Sequence, residues 1–124
     1  MSGFTRDERI RRRAEFKQVY ERGMRVHGRF FTVFLLSREQ PGGRLGIAAT
    51  KKLGGAVERN RAKRLIREVF RRNKIAHGFD VVVVPKRELL DASLTVLEAE
   101  YEHIVERSLR RHRGKSGPGT TQRL

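Results

Sequence analysis

The chain contains no cysteine, which excludes disulfides, thiolate nucleophiles and cysteine-based metal sites. It also lacks any stretch near the roughly 20 apolar residues that a membrane-spanning helix needs. The longest apolar runs, Val33–Leu36 and Val81–Pro85, have the length of strands. Met1 to Arg13 is charged and has no apolar run, so no secretory signal is expected and the location is expected to be cytoplasmic. Negative charge is scarce. Against 29 Lys and Arg stand 14 Asp and Glu, leaving +15 on 124 residues. A chain of that length makes one domain. Self-repulsion at that charge opposes compaction, and a surface so basic implies a polyanionic partner, nucleic acid or anionic membrane.

Recognisable catalytic machinery is missing too. His27, His77, His103 and His112 are scattered without metal-ligand spacing. The acidic groups Asp7-Glu8 and Glu98/Glu100/Glu102 fall in terminal or helical stretches with a surface pattern. There is no nucleophile–base arrangement and no phosphate loop, and Gly42-Gly43 and Gly54-Gly55 read as turns. An autonomous nuclease would need clustered carboxylates for metal ions or a histidine pair. The expectation is that no catalytic residue and no metal site reside in the protein alone.

What is present is an alternation of short elements. Apolar spacing predicts a helix over Ala14–Glu21, ended by Gly23. Phe30–Leu36 reads as a strand, with Phe30, Thr32, Phe34 and Leu36 on one face and Phe31, Val33 and Leu35 on the other. There is room for one more strand before Phe30. After the turn at Ser37–Gly43 comes a second strand, Arg44–Thr50, and a hairpin of the two is the simplest pairing. Lys51–Ala56 is a loop. Val57–Asn73 is the clearest helix, with Ala62, Leu65, Ile66, Val69 and Phe70 at i, i+3, i+4, i+7 and i+8. His77-Gly78 ends that unit. Phe79–Val84, closed by Pro85, reads as a buried strand, and Asp91–Arg111 as a last helix capped by Asp91 or Ser93. Residues 1–13 are expected to be irregular or partly helical. The chain is expected to form one domain over residues 1–112, followed by a disordered basic tail over 113–124. The order predicts an α+β sandwich of sheet and helices. The strand–helix–strand passage from Arg44 to Val84 is a βαβ unit, for which a right-handed crossover is the default.

The 57–73 helix carries the charge. Lys63, Arg64, Arg67 and Arg71 lie within roughly 60° of Asn60 at 100° per residue, opposite the apolar set. Between Lys51 and Lys74 stand ten basic and two acidic residues. Like charges at i+3 and i+4 repel, costing a few tenths of a kcal/mol per pair, and polyanion phosphates relieve that repulsion while releasing counterions. Arg adds a planar fork that grips phosphate oxygens. A merely solvated basic face is the plainer alternative, and a membrane-surface helix a third. The third conflicts with an apolar side needed between two strands. Phe16 and Tyr20, at i and i+4, together with Thr32 and Phe34, fit either a core or a stacking platform for unpaired bases.

The string KKLGGAVERNRAKRLIRE, residues 51–68, closely resembles the signature of the bacterial ribonuclease P protein subunit, K-K-x-G-x-A-V-x-R-N-R-x-K-R-x-x-R. Arg13–Tyr20 with Gly23 resembles that family's first helix, and Phe30–Leu36 its first long strand. The resemblance spans roughly residues 4–111. It implies a two-layer α/β sandwich like domain 2 of ribosomal protein S5, with a left-handed βαβ crossover. That conflicts with the right-handed default, and the family is followed. It further implies partnership with a catalytic RNA and with precursor tRNA, no membrane partner, and magnesium held mainly by the RNA. Carried over by position, Arg59, Asn60, Arg61, Lys63, Arg64 and Arg67 would contact the catalytic RNA, flanked by Lys51 and Lys52, and Arg71, on the same helix face, is expected to join them. Phe16, Tyr20, Thr32 and Phe34 would line a cleft for the single-stranded 5′ leader. Gly55 stands where the family often has Asn, and Ala48 where a small polar residue is common. The competing functions are a ribosomal-type RNA-binding protein or RNA chaperone, and a stand-alone metal nuclease.

Overall fold

The computed structural model describes residues 9–39, 42–73 and 78–116, with side chains to 111. Helix α1 (Arg13–Arg22) is followed by β1 (Met24–His27), β2 (Phe31–Ser37) and β3 (Arg44–Ile47). Then come α2 (Ala56–Arg72), β4 (Phe79–Pro85) and α3 (Leu94–Ser116). α1 ends at Gly23, where the backbone turns extended, and only glycine fits there: a Cβ would lie 2.5 Å from the Val19 carbonyl oxygen and 3.0 Å from that of Leu35. β1 is the additional strand allowed for before Phe30.

The four strands form one mixed sheet in the order β1-β2-β4-β3. β4 is antiparallel to β2 and parallel to β3. The expected hairpin of β2 with β3 is therefore absent, because β4 lies between them. The reason is in β4 itself. Val81, Val82 and Val83 are apolar on both faces, and only a central strand buries both. β3 is also shorter than expected. It stops at Ile47, although the Ala48 amide still donates to the Val83 carbonyl (3.0 Å). Thr50 then caps a short 3-10 turn, Lys51–Leu53.

One face of the sheet is covered by α2 and α3. Phe31, Val33, Leu35, Leu45, Val81 and Val83 meet Ala62, Ile66, Val69 and Phe70 of α2 and Leu97, Tyr101, Ile104 and Val105 of α3. This is the helix-on-sheet sandwich, and it holds most of the buried apolar surface. α1 covers part of the other face, where Val19 and Phe16 pack with Phe34 and Val82.

The crossover is left-handed. Seen from the α2 side with β4 running upward, the Val83 side chain points at the viewer, and L-chirality then turns its carbonyl to the right. That carbonyl accepts from Ala48, so β3 lies to the right of β4. The chain passes from β3 through α2 in front to β4 on the left. The right-handed default is overturned, as the family resemblance implied.

At the C-terminal end, a 3-10 segment, Arg87–Asp91, takes the place of the first turn expected for the last helix. Ser93 rather than Asp91 is the cap, accepting from the Val96 amide (3.3 Å). α3 continues beyond Arg113 to Ser116, into the first residues of the predicted tail. The N-terminal residues 1–8, His77 and residues 117–124 lie outside the described residues, as does the His112 side chain.

Tyr101 is buried against Phe70 (ring centroids 6.3 Å apart), and its hydroxyl has no hydrogen-bond partner among the described residues. Burial also pushes the phenol well above the usual tyrosine range. A buried unsatisfied hydroxyl costs about 1–3 kcal/mol. Tyr101→Phe should therefore stabilise the fold by about 1 kcal/mol, read as a raised urea midpoint at unchanged slope.

Candidate nucleic-acid interface

α2 is built to face two ways. Ala62, Ile66, Val69 and Phe70 are buried, while Asn60, Arg61, Arg64 and Arg67 are exposed on the opposite side. Lys63 is half-buried at a flank, Arg59 is half-buried at the N-terminal end of the side that carries Ala62 and Ile66, and Lys51 and Lys52 stand exposed on the preceding 3-10 turn. Arg59, Arg61, Lys63, Arg64 and Arg67 form no ion pair with a carboxylate among the described residues. Arg61, Lys63, Arg64 and Arg67 present a row of unneutralised positive charge nearly two helical turns long.

Arg71 differs from the others. Glu68, one turn before it, takes hydrogen bonds from Arg71 and from Arg72 (Nε–Oε2 3.0 Å). Those bonds, Arg71 first, hold the Glu68 carboxyl below the usual glutamate range. Arg72 also reaches Glu98 on α3 (3.3 Å). The open cationic row thus ends at Arg67, and the two guanidinium groups of the last turn of α2 are paired with Glu68 of the same helix and Glu98 of α3.

The N-terminus of α2 shows the effect of Gly55. This residue is the N-cap and has no side chain to accept a hydrogen bond; its own amide donates to Glu58 Oε1 (3.0 Å). A Cβ there would meet only Glu58 Oε1, at an ordinary 3.5 Å. Gly55→Asn should restore a side-chain cap and add a few tenths of a kcal/mol, visible as a small rise in Tm. Ala48 contributes through its backbone amide, which a polar side chain is not needed to supply.

The aromatic residues form a row on the opposite face of the sheet. The Phe16 and Tyr20 rings are 6.3 Å apart, and Tyr20 meets Phe34 edge-on at 4.9 Å. Tyr20 is 40% exposed and Phe16 half-buried, whereas Phe34 (9%) and Thr32 (8%) show little surface. Burial raises the Tyr20 phenol above its ordinary value. Thr32 Oγ1 lies 3.2 Å from His27 Nδ1, and the Arg25 guanidinium lies 6.0 Å from the Phe34 ring centre. Phe16 and Tyr20 are therefore the rings that a ligand can reach, and Phe34 supports them from below.

The two groups of residues meet. Phe16 lines a concavity of about 180 Å³ together with Lys63 and Arg67 of α2, Ile10, Arg9 and Arg11 of the preceding segment, and Leu45 and Ile47 of β3. Burial, and next the Arg9 charge, lower the Arg67 pKa, a crowding of cations that an anion would relieve. Arg9 and Arg11 were not singled out in the sequence, where they sit in an undifferentiated basic stretch.

A second feature escaped sequence reasoning. Asp80, the one charge in the Phe79–Val84 run, is 8% exposed and takes two hydrogen bonds from Arg44, Nε–Oδ1 and Nη2–Oδ2, each 2.9 Å. Arg44 Nη1 donates to Glu15 Oε2 on α1 (3.1 Å). Burial alone would raise the Glu15 carboxyl; the hydrogen bond and charge of Arg44, with backbone donors, bring it below the usual range. A lone carboxylate inside an apolar strand was the available signal, since burial demands a partner for it.

No three His, Cys, Asp or Glu side chains gather in metal-binding range among the described residues. Nor is any helix among them long and apolar enough to cross a membrane.

The ribonuclease P family model matches residues 4–109. The ribonuclease P protein component of Desulfovibrio desulfuricans is 47% identical over 93 residues, 72% of each chain. That of Thermotoga maritima is 42% identical over 88 residues, covering 69% of this chain and 75% of its own. Among solved structures, the Thermotoga maritima RNase P protein aligns with a TM-score of 0.73 at 33% identity, over 81% of this chain and 96% of that one. The Staphylococcus aureus RNase P protein aligns with a TM-score of 0.71 at 35% identity, over 80% and 93%. By family model, sequence identity and fold alike, this chain belongs to the bacterial ribonuclease P protein family.

Proposed function

We propose that the chain is the protein subunit of ribonuclease P, binding the catalytic RNA along α2 and the precursor-tRNA 5′ leader beside α1. The observation that carries this reading is the row Arg61, Lys63, Arg64 and Arg67, free of carboxylate partners among the described residues and fixed on a helix whose other side is core. Such a row suits a sugar-phosphate backbone. Phe16, bordered by Lys63 and Arg67, and the exposed Tyr20 beside it suit an unpaired strand: rings for the bases, cations for the phosphates. The protein's part is to reduce repulsion between RNAs and to hold the leader. Cleavage of the phosphodiester, giving the mature tRNA 5′ end, is assigned to the RNA subunit and its magnesium. The carboxylates nearest the row, Glu58 and Glu68, are engaged with the Gly55 amide and with Arg71 and Arg72.

The test is precursor-tRNA cleavage at low magnesium with protein alone, catalytic RNA alone, and both. Cleavage should need the RNA and be stimulated by the protein. Cutting by protein alone would instead indicate a metal nuclease, and absence of stimulation a ribosomal-type protein or chaperone. Phe16→Ala should weaken binding of leader-bearing tRNA by about tenfold, the worth of one stacked base, and leave leaderless tRNA unaffected. Equal loss for both would remove Phe16 from the leader site.

A further inference from the structure

The geometry points to Arg44 as a positioning residue for the leader site: with Asp80 and Glu15 it fixes the first turn of α1, so that the Phe16 ring is held on β3 at Gly46. This rests on the leader reading above and deepens it. Arg44 and Gly46 are two residues apart on β3, so they share a face of the sheet, the face that α1 covers. Their partners across the ladder are Asp80 and Val82. Asp80 holds two guanidinium nitrogens of Arg44 in a bidentate pair, which leaves the third, Nη1, aimed at Glu15. The fork is planar and rigid, so fixing one edge against the sheet fixes the direction of the other. Arg38 adds a second cation 3.5 Å from Asp80 Oδ1.

Glu15 immediately precedes Phe16. The ring of Phe16 lies so close to Gly46 that a Cβ at that position would stand 2.8 Å from Cζ and 2.9 Å from Cε1. The seat of the ring therefore exists only because residue 46 has no side chain. The ring is placed by two independent constraints, a bed at Gly46 and a tether at Glu15, both referred to the same short strand. Neither Arg44 nor Glu15 belongs to the cationic row of α2. Loosening the tether should disturb the leader contact and spare the contact with catalytic RNA.

The chain has no tryptophan, so Phe16→Trp supplies a single fluorophore at the site. In that background, Glu15→Gln and Arg44→Lys should each raise acrylamide quenching about twofold. Unchanged quenching in both would overturn the proposal whatever the leader does. The functional arm measures holoenzyme affinity for precursor tRNA with and without a leader. Glu15→Gln and Arg44→Lys should lower the leader-dependent part about three- to tenfold and leave binding of the catalytic RNA unchanged. In a Phe16→Ala background the same substitutions should cost nothing further. A full additional loss there would show that the tether acts on general stability, and would overturn the positioning role. Gly46→Ala leaves the tether intact and should reproduce the leader defect by displacing the ring. If Phe16→Ala alone left leader binding unchanged, the leader reading would fail, while the quenching result would still decide whether the tether holds the ring.

Discussion

Replacing Arg61, Lys63 and Arg64 together by glutamine should weaken binding of the catalytic RNA on the order of 100-fold at physiological salt. It should also lower the slope of log affinity against log salt by roughly 0.7–0.9 for each phosphate that is no longer neutralised. Glutamine can still donate a neutral hydrogen bond, so each replacement loses about 1 kcal/mol, the difference between a charge-assisted and a neutral bond, and three such losses give that magnitude. The fold should persist, because the core side of α2 is unchanged: Ala62, Ile66, Val69 and Phe70 remain buried. Removing three mutually repelling cations should even leave the free protein slightly more stable. Arg72→Gln is the internal control. It lies on the same helix with the same charge, but its guanidinium is held by Glu68 and Glu98. Its removal should change the slope much less. A salt titration of equilibrium binding measures affinity and slope for both variants, and an effect per removed charge that is equal for Arg72→Gln and for the triple variant would mean that net charge, and not the open row, governs affinity.

Phe70→Ala should have the largest effect on stability. Phe70 is 2% exposed, packs edge-on against Tyr101, and joins α2 to both the sheet and α3. Truncating a buried phenylalanine costs about 3–5 kcal/mol, a large share of the roughly 5–15 kcal/mol that a domain of this size has available. A fall in Tm of roughly 10–20 °C follows, measurable by calorimetry or circular dichroism. RNA affinity per folded molecule should stay close to wild type, because no cation has been removed. The same measurement on the triple glutamine variant should give the opposite pattern, affinity lost and stability kept. These two outcomes would separate the sides of one helix, an inner side that holds it in place and an outer side that binds as proposed.

That separation was visible in the sequence of α2, where apolar spacing and clustered Arg and Lys fall in antiphase over 17 residues. The apolar run of β4 was equally plain, and so was the alternation of β2, whose odd residues entered the main core and whose Phe34 entered the other. The partner of each strand was not legible. β2 and β3 follow one another along the chain, yet nothing local to them records that a strand far downstream lies between them; only the two-faced burial of Val81 to Val83 requires it. Handedness was likewise hidden, because it depends on which face α2 covers and not on the pattern of any one element.

For the interface, residue types and spacing were enough to nominate the row on α2, but not to rank it. Arg71 and Arg67 look alike in the sequence, and Glu68 neighbours both. Its carboxylate meets Arg71 and Arg72, a choice of side-chain geometry that composition does not encode. The aromatic residues divide in the same way. Phe16, Tyr20 and Phe34 share a pattern, and only the packing of α1 against β2 decides which rings are reached from solvent. The tether from Asp80 through Arg44 to Glu15 joins three elements and had no local signature beyond one carboxylate in an apolar strand.

The absence of cysteine makes the central claim directly measurable, since each introduced thiol is unique. A photo-crosslinker attached at Asn60→Cys, on the exposed side of α2, should label the catalytic RNA efficiently in the assembled complex. The same reagent at Glu106→Cys, exposed on α3, should label it weakly. Crosslinking from Glu106 equal to or greater than that from Asn60 would contradict the assignment of the α2 row to the RNA.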